Sequence, residues 1–142
     1  IALSLLVHYM DAALSGDTSF AYLLGMLRHA ILSSLVGSTA ATDSIVLFGE
    51  QEIKDAVDRI DPVQSHVLFD KHDWNKLVPE PKDPKNWDKI KAIIAAVLAS
   101  GKEEPYGSAF KKVLTIGGYI VEVTYTKVDE ILKISNAWIR FY

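Results

Sequence analysis

The chain has 142 residues, 49% hydrophobic, 23% charged and 10% aromatic, with a net charge of −3 and no cysteine. This length and apolar content describe one domain, or one small domain with an appendage, that buries roughly 70% of its unfolded surface, and they exclude a disordered chain. Without cysteine there is no disulfide framework, no thiolate metal site, no cysteine nucleophile and no dependence of folding on the redox compartment.

The first residue is Ile1 and not Met, which reads as a fragment of a longer polypeptide. Residues 1–60 carry three bases (Arg28, Lys54, Arg59) against seven acids (Asp11, Asp17, Asp43, Glu50, Glu52, Asp55, Asp58). From Lys71 onward twelve bases face nine acids. Nucleic-acid binding is therefore permitted in the second half, though no polybasic tail demands it.

Ile1 to Leu14 has apolar residues at helical spacing (Leu3, Leu6, Val7, Met10, Leu14), and so does Phe20 to Val36 (Phe20, Leu23, Leu24, Leu27, Ile31, Leu35). Asp17 or Thr18 is the expected cap of the second helix. Arg28 and His29 at its centre oppose membrane insertion, so the pair reads as a buried helical hairpin with no stable insertion expected. There is no basic n-region of a signal peptide. Gly37 to Ser44 (GSTAATDS) reads as a linker, and Glu50 to Ile60 as a short helix stopped by Asp61-Pro62. His66 to Phe69 is a predicted short strand, and Lys71 to Asn86 a loop rich in proline and lysine. The next helix starts near Pro84, carries Trp87, Ile90, Ile94, Val97 and Leu98 on one stripe, and stops at Gly101.

Phe110 to Ile116, Gly117-Gly118 and Tyr119 to Lys127 predict a hairpin with a two-residue turn, and a second return at Asp129-Glu130 leads into Ile131 to Tyr142. The result is a three-strand antiparallel meander. If Gly117-Gly118 is the turn, Phe110, Leu114, Ile116, Tyr119, Val121, Val123 and Tyr125 share the core face. Lys111, Val113, Thr115, Ile120, Glu122, Thr124 and Thr126 take the opposite face, with Lys111 across from Thr124. The second turn pairs Thr124 with Ser135 and Thr126 with Lys133, and puts Leu132, Ile134 and Trp138 on the core side. Lys111, Thr124, Ser135, Thr126 and Lys133 then form either a solvated sheet face or an anion-binding surface.

Of four histidines, His8 and His29 lie in the apolar helices and read as structural. His66 and His72 lie near Lys71 and Asp73, and an imidazole moves protons in both directions near neutrality. An RNA phosphodiester is cleaved without metal when a base takes the 2′-hydroxyl proton, an acid protonates the leaving 5′-oxygen, and cationic donors hold the phosphate oxygens. There is no Gly-rich phosphate loop, no HExxH, no nucleophile elbow and no deaminase motif. Zinc lacks thiolates to join His66 and His72, and magnesium has only Asp70 with Asp73, so no metal and no cofactor is expected.

The run HVLFDKHDW (His66 to Trp74), the helix WDKIKAIIAAVLASGKEEPY (Trp87 to Tyr106) and the strands KKVLTIGGYIVEVTYTKVDEILKISNAWI (Lys111 to Ile139) come in an order that resembles a known family. It is the C-terminal toxin domain of bacterial polymorphic toxins, in particular polymorphic toxin type 35, found at the end of contact-dependent growth inhibition effectors. More broadly the chain resembles the barnase/EndoU/colicin/RelE group of ribonucleases. The resemblance implies an α+β fold with N-terminal helices followed by a short antiparallel meander packed on a helix. It makes residues 61–142 a ribonuclease-like toxin domain and leaves 1–60 outside the match as a helical region, either an entry or translocation segment or a helical layer specific to this member.

Residue by residue, the resemblance makes Lys71 and His72 the catalytic pair and Thr124, Thr126 and Ser135 contacts to the scissile phosphate. Lys111, Lys133, His66, Trp74 and Tyr106 become substrate-binding residues, with Trp74 and Trp138 read as either core or base-stacking residues and a basic cleft drawn from Lys71, Lys76, Lys111, Lys112 and Lys133. The implied activity is a metal-independent endoribonuclease, acting on tRNA in a target cell's cytoplasm after presentation by a secreted or cell-surface effector. A cognate immunity protein is the implied partner. Two other classes compete: a membrane-active toxin whose residues 1–36 insert, and a non-enzymatic interaction module.

Overall fold

The structure, a computed structural model, describes residues 5, 7–9, 20–37, 48–63, 65–68 and 70–140. The expected first helix, the Asp17 or Thr18 cap and the linker lie almost wholly outside these, whereas the expected second helix lies inside them and is a helix. Leu5 and Val7 to Tyr9 are helical, with Leu5 and Tyr9 buried. Helix α1 spans Phe20–Gly37 and α2 spans Glu50–Asp58, whose Ile53, Ala56 and Val57 face inward.

The predicted strand from His66 to Phe69 is not a strand over its described residues, 66–68. Four single-turn 3₁₀ helices occupy this region, at His66–Leu68, Asp70–His72, Trp74–Lys76 and Pro84–Asn86. A strand needs a ladder partner for its backbone. Here the carbonyl of Val67 instead accepts two side-chain donors, Trp74 Nε1 at 2.7 Å and His72 Nδ1 at 3.0 Å. The turns are tied down locally: Asn86 Nδ2 donates to the carbonyls of Pro79 and Glu80, both at 3.1 Å.

Helix α3, Trp87–Ser100, is buried on nearly every side from Lys89 to Leu98, rather than along one stripe. It is the hub of the core, touching α1, α2 and the sheet. Gly101 ends it, but not through a left-handed conformation, since its φ is −74°. A Cβ there would lie 2.5 Å from Val97 O and 3.0 Å from Val113 O, so the helix end can approach the sheet only at a glycine.

Strands β1 (Lys102–Tyr106), β2 (Ala109–Ile116), β3 (Tyr119–Val128) and β4 (Ile131–Arg140) form one antiparallel sheet in the order β1-β2-β3-β4. This overturns the fold expected from the barnase/EndoU/colicin/RelE resemblance, N-terminal helices and then a three-strand meander on a helix. A fourth strand leads the sheet, and a run of 3₁₀ turns separates the early helices from α3. Strand β1 (KEEPY) is obscured in the sequence because two glutamates and a proline oppose strand formation, and it is tolerated because it lies at the sheet edge. Its Gly107-Ser108 turn was the available signal.

The β2–β3 register is as predicted, from Phe110↔Tyr125 through Lys111↔Thr124 to Ile116↔Tyr119. Gly117 and Gly118 both have positive φ, as a primed two-residue turn requires. Asp129 and Glu130 adopt positive φ as well, at 52° and 65°, and form the second turn as expected. The β3–β4 register departs part-way: Thr126↔Lys133 holds, but Thr124 pairs with Asn136, because a bulge inserts Ser135. One extra residue reverses the facing of all that follow. Ala137 and Ile139 therefore enter the core beside Leu132, while Trp138, expected inside, is carried to the opposite face beside Glu122.

Candidate functional site

The face of the sheet turned away from α3 is covered near β4 by the 3₁₀ turns, and this cover builds the site. Glu122 lies at its centre, only 3% exposed. Its Oε1 accepts from Lys111 Nζ at 3.0 Å, its Oε2 accepts from Trp138 Nε1 at 2.6 Å, and Arg140 Nη2 approaches Oε1 at 3.6 Å. Lys111 also lies 3.9 Å from Glu104. The residues meet because β2, β3 and β4 put Lys111, Glu122 and Trp138 side by side on one face.

His72 closes this group from the 3₁₀ side. Its ring lies 6.1 Å from that of Trp138, and Tyr106 lies 6.0 Å from Trp138 on the other side. Three rings thus run from the exposed Tyr106 to the buried His72, and the Lys111 ammonium sits 5.5 Å from the Tyr106 ring centre. Burial is the main reason the His72 pKa falls below its usual value. The charges of Lys71 and His66 push the same way, against the Val67 hydrogen bond and Asp73. The carbonyl can only accept, so Nδ1 carries the proton and the basic lone pair of the neutral ring is on Nε2.

The other expected site residues divide into groups. Lys71 and His66 are exposed on the 3₁₀ turns flanking His72. Thr124 is buried on the same face as Glu122, its hydroxyl donating to Asn136 O at 3.3 Å, with half-buried Thr126 next along β3. Trp74 is a core pillar rather than a surface for substrate, 2% exposed and bonded to Val67 O. Lys112, counted in the basic cleft, lies on the opposite face. It is buried with Nζ donating to Leu98 O at 2.8 Å and 4.5 Å from the Phe48 ring, and its pKa is pushed down to about 8, chiefly by burial. Lys133 and Ser135 line a separate cleft with Arg59 and Ser65. Glu122 and Arg140 were missed as site residues, and Trp138 was expected in the core or stacked on a base. The detectable signal was Asn136: a bulge-free β4 would turn this amide into the core, whereas a one-residue slip brings in Ala137 and Ile139.

Among the described residues no three His, Asp or Glu side chains are grouped to hold a metal ion. The bacterial toxin 35 family matches residues 60–139, more than half of the chain. The chain belongs to the bacterial toxin 35 family. The matched stretch of this toxin contains the 3₁₀ turns, α3, strands β1 to β3, β4 up to Ile139, and every residue of the Glu122 cluster except Arg140. No curated protein and no solved structure matches it. Among the described residues of the toxin, no helix is long and apolar enough to cross a membrane.

Proposed function

We propose that this toxin is a metal-independent endoribonuclease that cleaves RNA phosphodiesters, tRNA foremost. The observation that carries the reading is a neutral imidazole, oriented by a backbone carbonyl, seated against a face where Lys111 and Arg140 meet around Glu122. His72 Nε2 takes the 2′-hydroxyl proton, the 2′-oxygen attacks phosphorus, and the 5′-oxygen leaves with a proton from solvent. The products are a 2′,3′-cyclic phosphate and a 5′-hydroxyl end. Lys71, Lys111 and Arg140 stabilise charge building on the phosphate oxygens, and Glu122 acts as a positioning residue that aims two of them. Tyr106, exposed at the open end of the ring row, offers a stacking surface to an unpaired base. Half-buried Thr126 borders the approach, with buried Thr124 beneath it.

The same reading places the toxin at the end of a secreted or surface-presented effector, acting in a target-cell cytoplasm, with an immunity protein covering this face in the producing cell. The test is incubation of the folded domain with total RNA in EDTA, beside His72→Ala. Discrete tRNA fragments with cyclic phosphate ends are expected, and the variant should lose 10²–10⁴-fold in rate. Intact RNA with toxicity retained in cells would overturn the reading.

A further inference from the structure

The cleft that holds Ser135 and Lys133 lies along the β4 edge, between the end of α2 and the first 3₁₀ turn, and has a volume of about 290 Å³. We propose that it binds a single phosphodiester of the substrate strand, next to the one that is cut. The proposal rests on the ribonuclease reading for the identity of the strand, but on this cleft alone for the anion site.

Four features carry it. Ser65 Oγ is buried and has no hydrogen-bond partner among the described residues, an uncommon state that costs stability unless something else supplies the bond. Lys133 lines the cleft and makes no ion pair among the described residues. Arg59 is fixed at the rim by one donated bond, from Nη2 to Leu132 O at 2.7 Å, and its guanidinium keeps further N–H donors for a ligand. The β4 bulge adds the Ser135 hydroxyl, exposed at the same mouth.

The charge count selects the ligand class. Asp61 also lines the cleft, with Oδ1 accepting from Val63 N–H at 2.8 Å. Two cations against one carboxylate leave one net positive charge, which suits a monoanionic diester better than a dianionic terminal phosphate. Ile60, Val67 and Ile134 give the cleft an apolar floor, against which a ribose can rest. Its position selects the role. The Val67 side lines this cleft while its carbonyl holds His72, so one residue separates the two sites.

The experiment uses a short, uncleavable 2′-O-methyl RNA strand, read by fluorescence anisotropy across a salt series, with inorganic phosphate followed by amide NMR as a second arm. Lys133→Ala and Arg59→Gln should each weaken RNA binding about 3–10-fold and lower the salt slope by about one. Ser65→Ala should raise the melting temperature, because it removes an unpartnered buried hydroxyl, and yet weaken binding. A structural role alone would not give these opposite signs. Wild-type affinity and slope in the cleft variants, with RNA still cleaved, would overturn this site and leave the ribonuclease reading standing. Phosphate-dependent shifts at Ser65 and Ser135 without any RNA binding or cleavage would support the anion site and overturn the RNA reading.

Discussion

Removing the Glu122 carboxylate tests whether the site is built around it. In Glu122→Ala, the Trp138 N–H loses a charge-assisted bond of 2.6 Å, and the Lys111 ammonium, 17% exposed, keeps Glu104 at 3.9 Å and the Tyr106 ring at 5.5 Å. A hydrogen bond to a charged group contributes about 1.5–3 kcal/mol, and breaking a buried ion pair about 3–5 kcal/mol. Arg140 is 55% exposed and adds little, because solvent screens it. Both contributions come from one carboxylate and overlap, and Lys111 stays partly solvated, so the expected destabilisation is about 3–4 kcal/mol, the lower end of the ion-pair range rather than the full sum. Glu122→Gln keeps an acceptor for the indole and should cost about 1–2 kcal/mol. The assay is urea unfolding at neutral pH, with a double-mutant cycle that adds Lys111→Met and expects a coupling of about 2 kcal/mol. A cost below about 1 kcal/mol for Glu122→Ala, or a coupling below about 0.5 kcal/mol, would refute the claim that this carboxylate organises the face.

Two pH dependences follow from buried bases. Lys112 has a folded pKa of about 8 against an ordinary 10.5, so between these values the unfolded chain binds more protons and stability rises with pH. Its contribution grows by about 2 kcal/mol from pH 7 to about pH 9.5, and Lys112→Met should flatten that rise in unfolding curves. His72 is also depressed on folding, so its neutral form carries full stability above the unfolded value of 6.5. That stability falls as pH drops below this value towards the lower folded pKa, and His72→Gln should remove the acid-side slope; an unchanged slope would place the titrating group elsewhere.

Much of the sheet could be read from residue order, because its determinants are local. Alternation along Phe110 to Tyr125 and two glycines between the strands fixed which residues pair, and Lys111 faces Thr124 as that pattern requires. The helix around Ile53 and Val57 was readable for the same reason, since a stripe and an Asp-Pro stop act within a few residues of each other. Strand β1 was not, because a Lys-Glu-Glu-Pro segment has no intrinsic strand preference and is held only by its neighbour β2.

The site was readable only in part. Sequence alone brought His72, Lys111 and Thr124 forward as chemistry-bearing side chains, because their functional groups are evident from residue type. Which of them meet depended on one bulged residue, Ser135, which turned Trp138 towards Glu122 and left Lys133 at another cleft. Neither the burial of Glu122 nor the neutral state of His72 is a property of its own segment. Both arise when turns from residues 66–76 close over strands from residues 111–140, and the exclusion of water that sets their chemistry exists only once those distant pieces are packed together.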